Sequence, residues 1–572
     1  MSDTFLIVAI DFGTTYSGYC FCLKSCTEQI RSVFWGMEHG LRTPKTPTCI
    51  LFNQEGDFQK FGYDAILSYH RMSKRDAKKA YFFENFKMEL YNKTISSNLM
   101  IPAKNGEPLS ALKVFSESLR YLKDHVLRTI KMHTSGREFI ASDVTWVLTV
   151  PAIWNSAAKQ FMRLAATKAE LVLELNSENL IIALEPEAAS VWCKQLPGNG
   201  FLAEEGSQEK LEQCSGTQYI VVDCGGGTID ITVHKVLEGG YLQELHKVSG
   251  GDMGGVSVDK KFKSFLRDIF QSDLWSKYEK EFPGELQKIM YDFCAQKCVS
   301  EEQDIYIACP YNLTRSAEER HEIEIFFKHA EDACWSDGTI KIGHRKLQTF
   351  FDDSLNKIVE QIKAIFSTPE INIDYILLVG GYASSKFLRD KIHQEFSSSC
   401  RVLCPIDSQM AIVKGAILFG NDPKIIASRV SGLTYAIACC AKFNPLIHRQ
   451  DKRRVNKTGD YVYCKDLFKK LVEKGQSVAC NEVSEYIFGP IDDDQEAMFF
   501  CFYSTERLDA TYVDEDGIKN IGSFSVPMPK VKLGRNRSVR VDVKFGLTEI
   551  QATATDLSSN ETQSIRLDFL TV

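Results

Sequence analysis

Up to about residue 420, short runs of apolar, often β-branched residues alternate with longer stretches in which apolar residues recur every three or four positions. The short runs predict buried strands, and the longer stretches predict amphipathic helices. The predicted strands are 5–10, 144–150, 219–223, 229–235 and 375–379. The predicted helices are 111–131, 157–170, 259–270, 283–298, 347–366 and 385–396. This mixture predicts an α/β fold in which helices cover the faces of sheets.

After residue 420 the pattern changes to strand-like runs that are separated by turn signals such as Asp516-Gly517. The runs predict strands at 433–440, 497–503, 509–513, 538–545, 549–556 and 564–570, with one helix at 464–474. Residues 421–572 are therefore predicted to form a separate, mostly β domain. Residues 196–217 are polar and rich in glycine, which predicts a long loop.

The 572 residues predict several domains, and the formal net charge of −7 argues against nucleic acid as a partner. No apolar run approaches the roughly 20 residues that cross a membrane, and the N-terminus does not resemble a signal peptide. We therefore expect a cytoplasmic or nuclear protein without a membrane span. In such a compartment the 18 cysteines are expected to be mostly small buried residues, as at Cys193, Cys224, Cys439 and Cys440.

A lone acid ends the first predicted strand, in the stretch Ile10-Asp11-Phe12-Gly13-Thr14-Thr15-Tyr16-Ser17-Gly18. A second stretch repeats this pattern 212 positions later: Val221-Val222-Asp223-Cys224-Gly225-Gly226-Gly227-Thr228-Ile229-Asp230. Glycines let backbone amides approach phosphate oxygens, and threonine hydroxyls add donors. An acid at the end of a strand suits a hydrated Mg²⁺ beside the phosphates. Two matching copies predict the two halves of a phosphate and metal site.

Three further elements extend this site. Residues 181–190 place Glu185 where a predicted strand meets a helix, and residues 377–384 place Gly380 and Gly381 directly after a strand. Paired glycines at that position allow the close approach of a nucleoside. Residues 413–417 form a helix start with small residues, which predicts tight packing between the two halves.

In this order, the five elements resemble the actin, hexokinase and heat-shock ATPase superfamily. In detail they are similar to the 70-kDa heat-shock protein family, and most of all to its divergent heat shock 70 kDa protein 12 type. The resemblance is carried by residues 11–18, 150–154, 184–190, 223–230 and 378–383. It implies a two-lobed, actin-like ATPase domain with duplicated ribonuclease H-like lobes. Lobe I would span 1–190, and lobe II 191–420 with a helix that returns to lobe I. Residues 421–572 would form a shortened substrate-binding β-sandwich without a helical lid.

The resemblance also implies that ATP or ADP binds with Mg²⁺, and it assigns roles to individual residues. It implies catalytic roles for Lys87, Glu185, Asp223 and Asp230, and metal binding through water by Asp11 and Asp223. The implied nucleotide contacts are Gly13, Thr14, Thr15, Tyr16, Gly225, Gly226, Gly227, Thr228, Gly250, Gly251, Lys297, Gly380, Gly381 and Tyr382. Pro151, with Lys159 as its basic partner, would link the nucleotide state to the outside of the domain.

The sequence departs from the family pattern at two places. Lys297 of the helix that would hold the base is present, but Cys298 stands where an arginine is expected, so stacking of a guanidinium plane on adenine would be lost. The usual acidic and leucine-rich linker is replaced by Asn421-Asp422-Pro423-Lys424. These departures put base affinity and a full chaperone cycle in question.

Three hypotheses of function follow. In the first, an atypical chaperone couples slow Mg-dependent ATP hydrolysis to the binding of protein clients or co-chaperone-like partners. In the second, a nucleotide-gated adaptor binds ATP or ADP with little or no turnover. In the third, the chain is a small-molecule kinase on the same superfamily fold, although the sequence has no acceptor-recognition motif. The oligomeric state stays open.

Overall fold

The computed structural model describes residues 4–134, 136–202, 210–297, 303–318, 322–480, 482–545 and 549–566. The chain forms two compact units, one made of Met1–Thr232 with Val248–Pro423 and the other of Val233–Lys247 with Lys424–Thr571. Among the described helices, none combines the length and the apolar character that crossing a bilayer requires.

The first sheet of the first unit is built on a buried central strand, Leu6–Phe12, which pairs in parallel with Val144–Val150 and antiparallel with Tyr16–Leu23. Every residue of the two parallel strands is buried, as expected for strands with both faces covered. The order of the strands is Leu180–Leu184, Val144–Val150, Leu6–Phe12, Tyr16–Leu23 and Arg31–Ser32, and Thr46–Pro47 also pairs with Tyr16–Leu23.

The second sheet of this unit has the same arrangement around Gln218–Cys224. That strand pairs in parallel with Tyr375–Val379 and is hydrogen-bonded to Ile229–Val236, which follows it along the chain. Arg401–Leu403 adds a further parallel strand beyond Tyr375–Val379. In both sheets the acid of the repeated motif, Asp11 or Asp223, is the penultimate residue of the central strand.

α-Helices cover these sheets, and those of the described residues belong to the first unit. They are Gly62–Arg71, Lys74–Ala77, Ala111–His133, Ser156–Lys168, Glu185–Cys193, Gly255–Phe270, Ser272–Glu281, Pro283–Gln296, Tyr311–Glu318, Glu322–His329, His344–Phe366, Lys386–Phe396 and Ala411–Asn421. The six helices predicted before residue 420 are confirmed, with ends that move by a few residues. Ala411–Asn421 packs on Glu185–Cys193, where a Cβ at Gly415 would collide with the carbonyl of Ala188. The tight packing of residues 413–417 is therefore confirmed, although they lie within this helix and not at its start.

Smaller sheets complete the first unit. They are Phe58–Phe61 with Cys49–Phe52 and Tyr81–Glu84, Met100–Pro102 with Pro108–Ser110, and Ile305–Ala308 with Thr339–Ile342 and Ala333–Ser336.

The second unit is mostly β. One sheet has the order Arg453–Val455, Val462–Val472, Thr434–Lys442, Ala497–Thr505 and Lys519–Pro527. Another has the order Ser484–Phe488, Val539–Lys544, Gln551–Asp556 and Thr562–Arg566. Ile426–Val430 pairs with Ser477–Ala479 and with the start of Leu242–Gly251. Phe500 and Val526 of the first of these sheets share one hydrophobic core with Val541 and Ala554 of the second.

The predicted helix 464–474 is wrong, because these residues belong to the strand Val462–Val472. The register shifts where this strand pairs with Thr434–Lys442, and Asp466 adopts a positive φ of 60°. An extra residue in a strand breaks the alternation of side chains. Apolar residues at 467, 468, 471 and 472 therefore mimic the spacing of a helix.

Three other predictions are corrected or fall outside the described residues. Residues 509–513 form no strand, since the Glu515 carboxylate accepts the amides of Thr511 and Tyr512 and holds a turn. Cys440 is exposed, whereas Cys193 and Cys224 are buried. Residues 203–209 of the predicted loop, residues 567–570 of the last predicted strand and Cys298 lie outside the described residues.

Candidate nucleotide site

Two glycine-containing turns meet in the first unit. We call residues 11–16 the first turn and residues 223–230 the second turn. A Cβ at Gly226 would collide with Thr15 Oγ1, and a Cβ at Gly227 would lie 2.6 Å from Thr14 Oγ1. The structure thus brings the two predicted halves together, with glycine backbone on one side and threonine hydroxyls on the other.

Backbone hydrogen bonds from the start of the helix Gly255–Phe270 hold the second turn in place. The amides of Gly254, Gly255 and Val256 donate to the carbonyls of Gly227, Gly225 and Gly226, at 3.2, 3.2 and 2.8 Å. A Cβ at Gly254 would lie 2.6 Å from the Gly226 carbonyl oxygen, so this approach requires glycine. Among the described residues, the amides of Gly226 and Gly227 have no acceptor and are available to a ligand.

Asp11 of the first turn has a partner on each carboxylate oxygen. The Lys45 ammonium donates to Oδ2 at 2.5 Å, and the Thr149 hydroxyl donates to Oδ1 at 3.1 Å. The Thr48 hydroxyl donates to the Gly13 carbonyl at 2.8 Å. The first turn is therefore held by residues of the segment 45–48.

Asp223 of the second turn differs, because its buried Oδ1 has no donor within the described chain. Burial raises the pKa of Asp223 well above its usual range, and the nearby carboxylates of Glu185, Asp230 and Asp11 raise it further. Gly380, with φ of 88°, lies so close that a Cβ would stand 2.6 Å from Asp223 Oδ1. Thr15 Oγ1 is likewise buried without a partner.

Lys87 and Glu185 form a buried ion pair beside the turns. Lys87 lies on the 3-10 helix Phe86–Leu90. Glu185 begins the helix Glu185–Cys193, as the sequence predicts. The Lys87 ammonium donates to Glu185 Oε1 at 2.7 Å and lies 5.2 Å from the centre of the Trp154 ring. Burial raises the pKa of Glu185 to about 7, while Lys87 opposes this rise. A carboxyl that titrates near neutral pH is suited to proton transfer.

Asp230 links the second turn to the segment after Val144–Val150. Its Oδ1 accepts the Ile153 amide at 2.7 Å, and its Oδ2 accepts the Thr228 hydroxyl at 3.0 Å. Burial raises the pKa of Asp230, and these hydrogen bonds partly offset the rise. Pro151 is buried in the same segment, and Lys159 is half-buried on the helix Ser156–Lys168.

A cleft of about 1080 Å³ opens beside the turns. Thr15, Tyr16 and Gly227 line one part of it, and Tyr291 and Cys294 line another. The cleft has the size of a small-molecule site and lies next to the phosphate-type turns.

Two side chains that are predicted to contact the nucleoside, Lys297 and Tyr382, already make hydrogen bonds within the protein. Lys297 donates to the Gly255 carbonyl at 2.8 Å and pairs with Asp259. Tyr382 is buried, and its hydroxyl donates to the Ser354 hydroxyl at 3.3 Å. Gly381 has open space around it, in contrast to Gly380.

Gly250 and Gly251 differ as Gly380 and Gly381 do, because only the first of the two lacks room for a side chain. Gly250 has φ of 143°, and a Cβ there would collide with the Ile229 carbonyl, so glycine is required by the fold. A Cβ at Gly251 would meet only Met253 and Tyr91, at 3.7 and 3.9 Å.

The donor set fits a phosphate chain with a divalent cation. Two buried oxygens without partners, Thr15 Oγ1 and Asp223 Oδ1, lie on the two turns, with amides of Gly226 and Gly227 beside them. Amides and hydroxyls suit phosphate oxygens, and a carboxylate suits a hydrated Mg²⁺. The sequence did not reveal Lys45 or Thr149 as partners of Asp11. Thr149 could have been noted as a polar residue within an apolar strand, whereas Lys45 gives no local signal.

Comparisons with known proteins show the family of the chain. The family model described as Hsp70 protein matches residues 7–467. Heat shock 70 kDa protein 12A of Homo sapiens is 32% identical over 99% of this chain and 91% of its own length. The Mus musculus protein of the same name is 32% identical over 99% of this chain and 92% of its length, and human heat shock 70 kDa protein 12B is 32% identical over 99% and 91%. The chain therefore belongs to the Hsp70 family and is an Hsp70-like, ATP-binding protein.

Proposed function

We propose that the chain binds ATP and ADP with Mg²⁺ where the two turns meet, and that it hydrolyses ATP slowly. The observation that carries this proposal is the pair of buried, partnerless oxygens Thr15 Oγ1 and Asp223 Oδ1 on opposing turns. A buried polar atom without a partner is costly, so the fold keeps one where a ligand completes it.

In the proposed reaction, water attacks the γ-phosphorus, the bond to the bridging oxygen breaks, and ADP and phosphate are formed. Bound Mg²⁺, held through water by Asp11 and Asp223, would neutralise charge on the phosphates. Lys87 offsets charge on the transferred group, and Glu185 holds the Lys87 ammonium in place. Glu185 and Asp230 orient the water, and the pKa of about 7 lets Glu185 accept its proton.

The remaining assignments form part of the same proposal. The turns would contact the phosphates through Gly13, Thr14, Thr15, Tyr16, Gly225, Gly226, Gly227 and Thr228. Gly250, Gly251, Lys297, Gly380, Gly381 and Tyr382 would surround the nucleoside. Residues 1–190 and 191–420 would form two duplicated ribonuclease H-like lobes. The Ile153 amide on Asp230 supports a relay of the nucleotide state through Pro151 and Lys159.

We further propose that residues 421–572 act as a shortened β-sandwich for protein clients or co-chaperone-like partners, in the cytoplasm or nucleus. The support for this proposal is the shared core of two antiparallel sheets in the second unit. The name heat shock 70 kDa protein borne by the relatives fits such a role.

Single-turnover hydrolysis of ATP tests the enzymatic part. Lys87→Met removes the ammonium and keeps an unbranched side chain, so we expect the rate to fall by about 100-fold. Lys60→Met changes an exposed lysine on Phe58–Phe61 and should leave the rate unchanged. Equal rates for the wild type and Lys87→Met would contradict the proposed catalytic role.

A nucleotide-gated adaptor is the second candidate, and one observation favours it. Lys297 is held by Asp259 and the Gly255 carbonyl, so its ammonium is already occupied where the family resemblance implies a base contact. Binding of ADP without any hydrolysis of ATP by the wild-type protein would select this function over the first.

A further inference from the structure

The side chain of Lys45 reaches Asp11 by passing over Gly18. It precedes Thr46–Pro47, which pairs with Tyr16–Leu23, and in that strand Gly18 stands directly opposite Asp11. A Cβ at Gly18 would lie 2.9 Å from Lys45 Cγ, so the lysine stem crosses the space that glycine leaves open. Its ammonium then meets Asp11 Oδ2 at 2.5 Å.

Both members of this pair are withdrawn from solvent, with 7% of Lys45 and 2% of Asp11 exposed. A buried ion pair is held in one place by the surrounding packing and is screened little by salt. Lys45 is therefore a cation with a fixed position at the phosphate end of the site, and it is separate from Lys87, which pairs with Glu185.

The formal charges show what this cation changes. Asp11, Glu185, Asp223 and Asp230 contribute four carboxylates, and Lys45 and Lys87 contribute two ammonium groups. Without Lys45 the site would have one positive charge fewer, and a phosphate chain would meet stronger repulsion.

We propose that Lys45 is a positioning residue that supplies, through Asp11, part of the positive charge otherwise provided by a hydrated divalent ion. Nucleoside diphosphates consequently bind this chain with little dependence on Mg²⁺. This inference rests on the proposed nucleotide site. It adds weak dependence of nucleotide binding on Mg²⁺, a property that comes from Lys45.

Calorimetric titration with ADP, in Mg²⁺ and in EDTA, tests the inference on the full chain. For the wild type and for the control Lys60→Met, the Kd should rise less than about tenfold when Mg²⁺ is removed. Lys45→Met keeps the apolar stem but not the charge, and its Kd should rise by about 100-fold on the same change. A simple packing defect would weaken binding equally in both buffers.

Lys45→Gln secures the test if Lys45→Met does not fold, because its amide still donates to Asp11 without adding charge. It should show the same enlarged dependence on Mg²⁺. If removal of Mg²⁺ raised the Kd by the same factor in the wild type, Lys45→Gln and Lys60→Met, the inference would be overturned. The proposed function would not be affected by that result. Failure of the wild type to bind ADP in either buffer would overturn the proposed function and this inference with it.

Discussion

The first and second turns carry the same pattern of strand, acid, glycine and threonine, yet their acids have different surroundings. Asp11 accepts hydrogen bonds from the Lys45 ammonium and the Thr149 hydroxyl. Asp223 has a buried oxygen without a donor among the described residues, and its pKa is raised by burial and, further, by three other carboxylates. The charge of the first acid is neutralised by a lysine of the protein, whereas one oxygen of the second acid has no hydrogen-bond donor among the described residues.

This difference shows that a repeated motif fixes the backbone but not the charge around it. The first turn is held by side chains of the segment 45–48, whereas the second is held by backbone amides of the helix Gly255–Phe270. Backbone amides orient the second turn without neutralising its acid. The two acids should consequently respond in opposite ways when they are neutralised.

The largest expected effect is that of Asp11→Asn. This change leaves the Lys45 ammonium buried without its counter-ion, and breaking one side of a buried pair typically costs about 3–5 kcal/mol. Urea unfolding at neutral pH, followed by a signal from the first unit, should show a loss of about 3 kcal/mol. The double variant Asp11→Asn with Lys45→Met should regain much of this loss. No recovery in the double variant would contradict the pairing.

Gly380→Ala should have the next largest effect. Its φ of 88° disfavours a side chain, and the new Cβ would lie 2.5 Å from the Cys224 carbonyl oxygen and 2.6 Å from Asp223 Oδ1. We expect a loss of about 2 kcal/mol in the free energy of unfolding and weaker ADP binding. The adjacent Gly381→Ala adds a Cβ into open space and is the matched control. Similar losses at both glycines would refute the close approach to Asp223.

Asp223→Asn should have a smaller effect of the opposite sign. It removes a buried carboxyl group from a cluster of carboxyl groups, so the free energy of unfolding without nucleotide should rise by about 1 kcal/mol. Urea unfolding of the wild type, Asp223→Asn and Asp11→Asn under the same conditions compares the two changes in the free energy of unfolding. Equal destabilisation by Asp223→Asn and Asp11→Asn would contradict the claim that the two acids contribute differently to the free energy of unfolding.

A separate effect concerns pH and the strand Tyr16–Leu23, which follows the first turn. Tyr19 of Tyr16–Leu23 is hydrogen-bonded to His125, whose ring stacks on Trp35, and burial lowers the pKa of His125 to about 4. Because the folded pKa lies below the unfolded value near 6.5, the unfolded chain binds the proton first as the pH falls. Stability should decline by about 2–3 kcal/mol between pH 6.5 and pH 4.

His125→Gln is the variant that checks this pH dependence. It should show a smaller decline over that interval in thermal unfolding, since glutamine does not titrate. An unchanged decline would assign the acid sensitivity to other groups.

Sequence reasoning recovered the elements whose pattern is local. The strands that carry Asp11 and Asp223 and the strand-to-helix junction at Glu185 follow from apolar runs and the Glu-Pro start of a helix. It could not recover Lys45, which lies between two prolines and meets Asp11 only through tertiary contact. Nor could it recover the strand Val462–Val472, where the bulge at Asp466 changes the spacing of apolar residues.

Direct titration of ADP with Mg²⁺ into the wild type and Asp223→Asn tests the central claim, that the two turns form a nucleotide site completed by its ligand. The account predicts saturable binding by the wild type and a severalfold loss of affinity for Asp223→Asn, below the limit of about tenfold set for removal of Mg²⁺, although that variant is no less stable. Lys60→Met should bind as the wild type does. Absence of ADP binding, or equal affinity of the wild type and Asp223→Asn, would contradict the account.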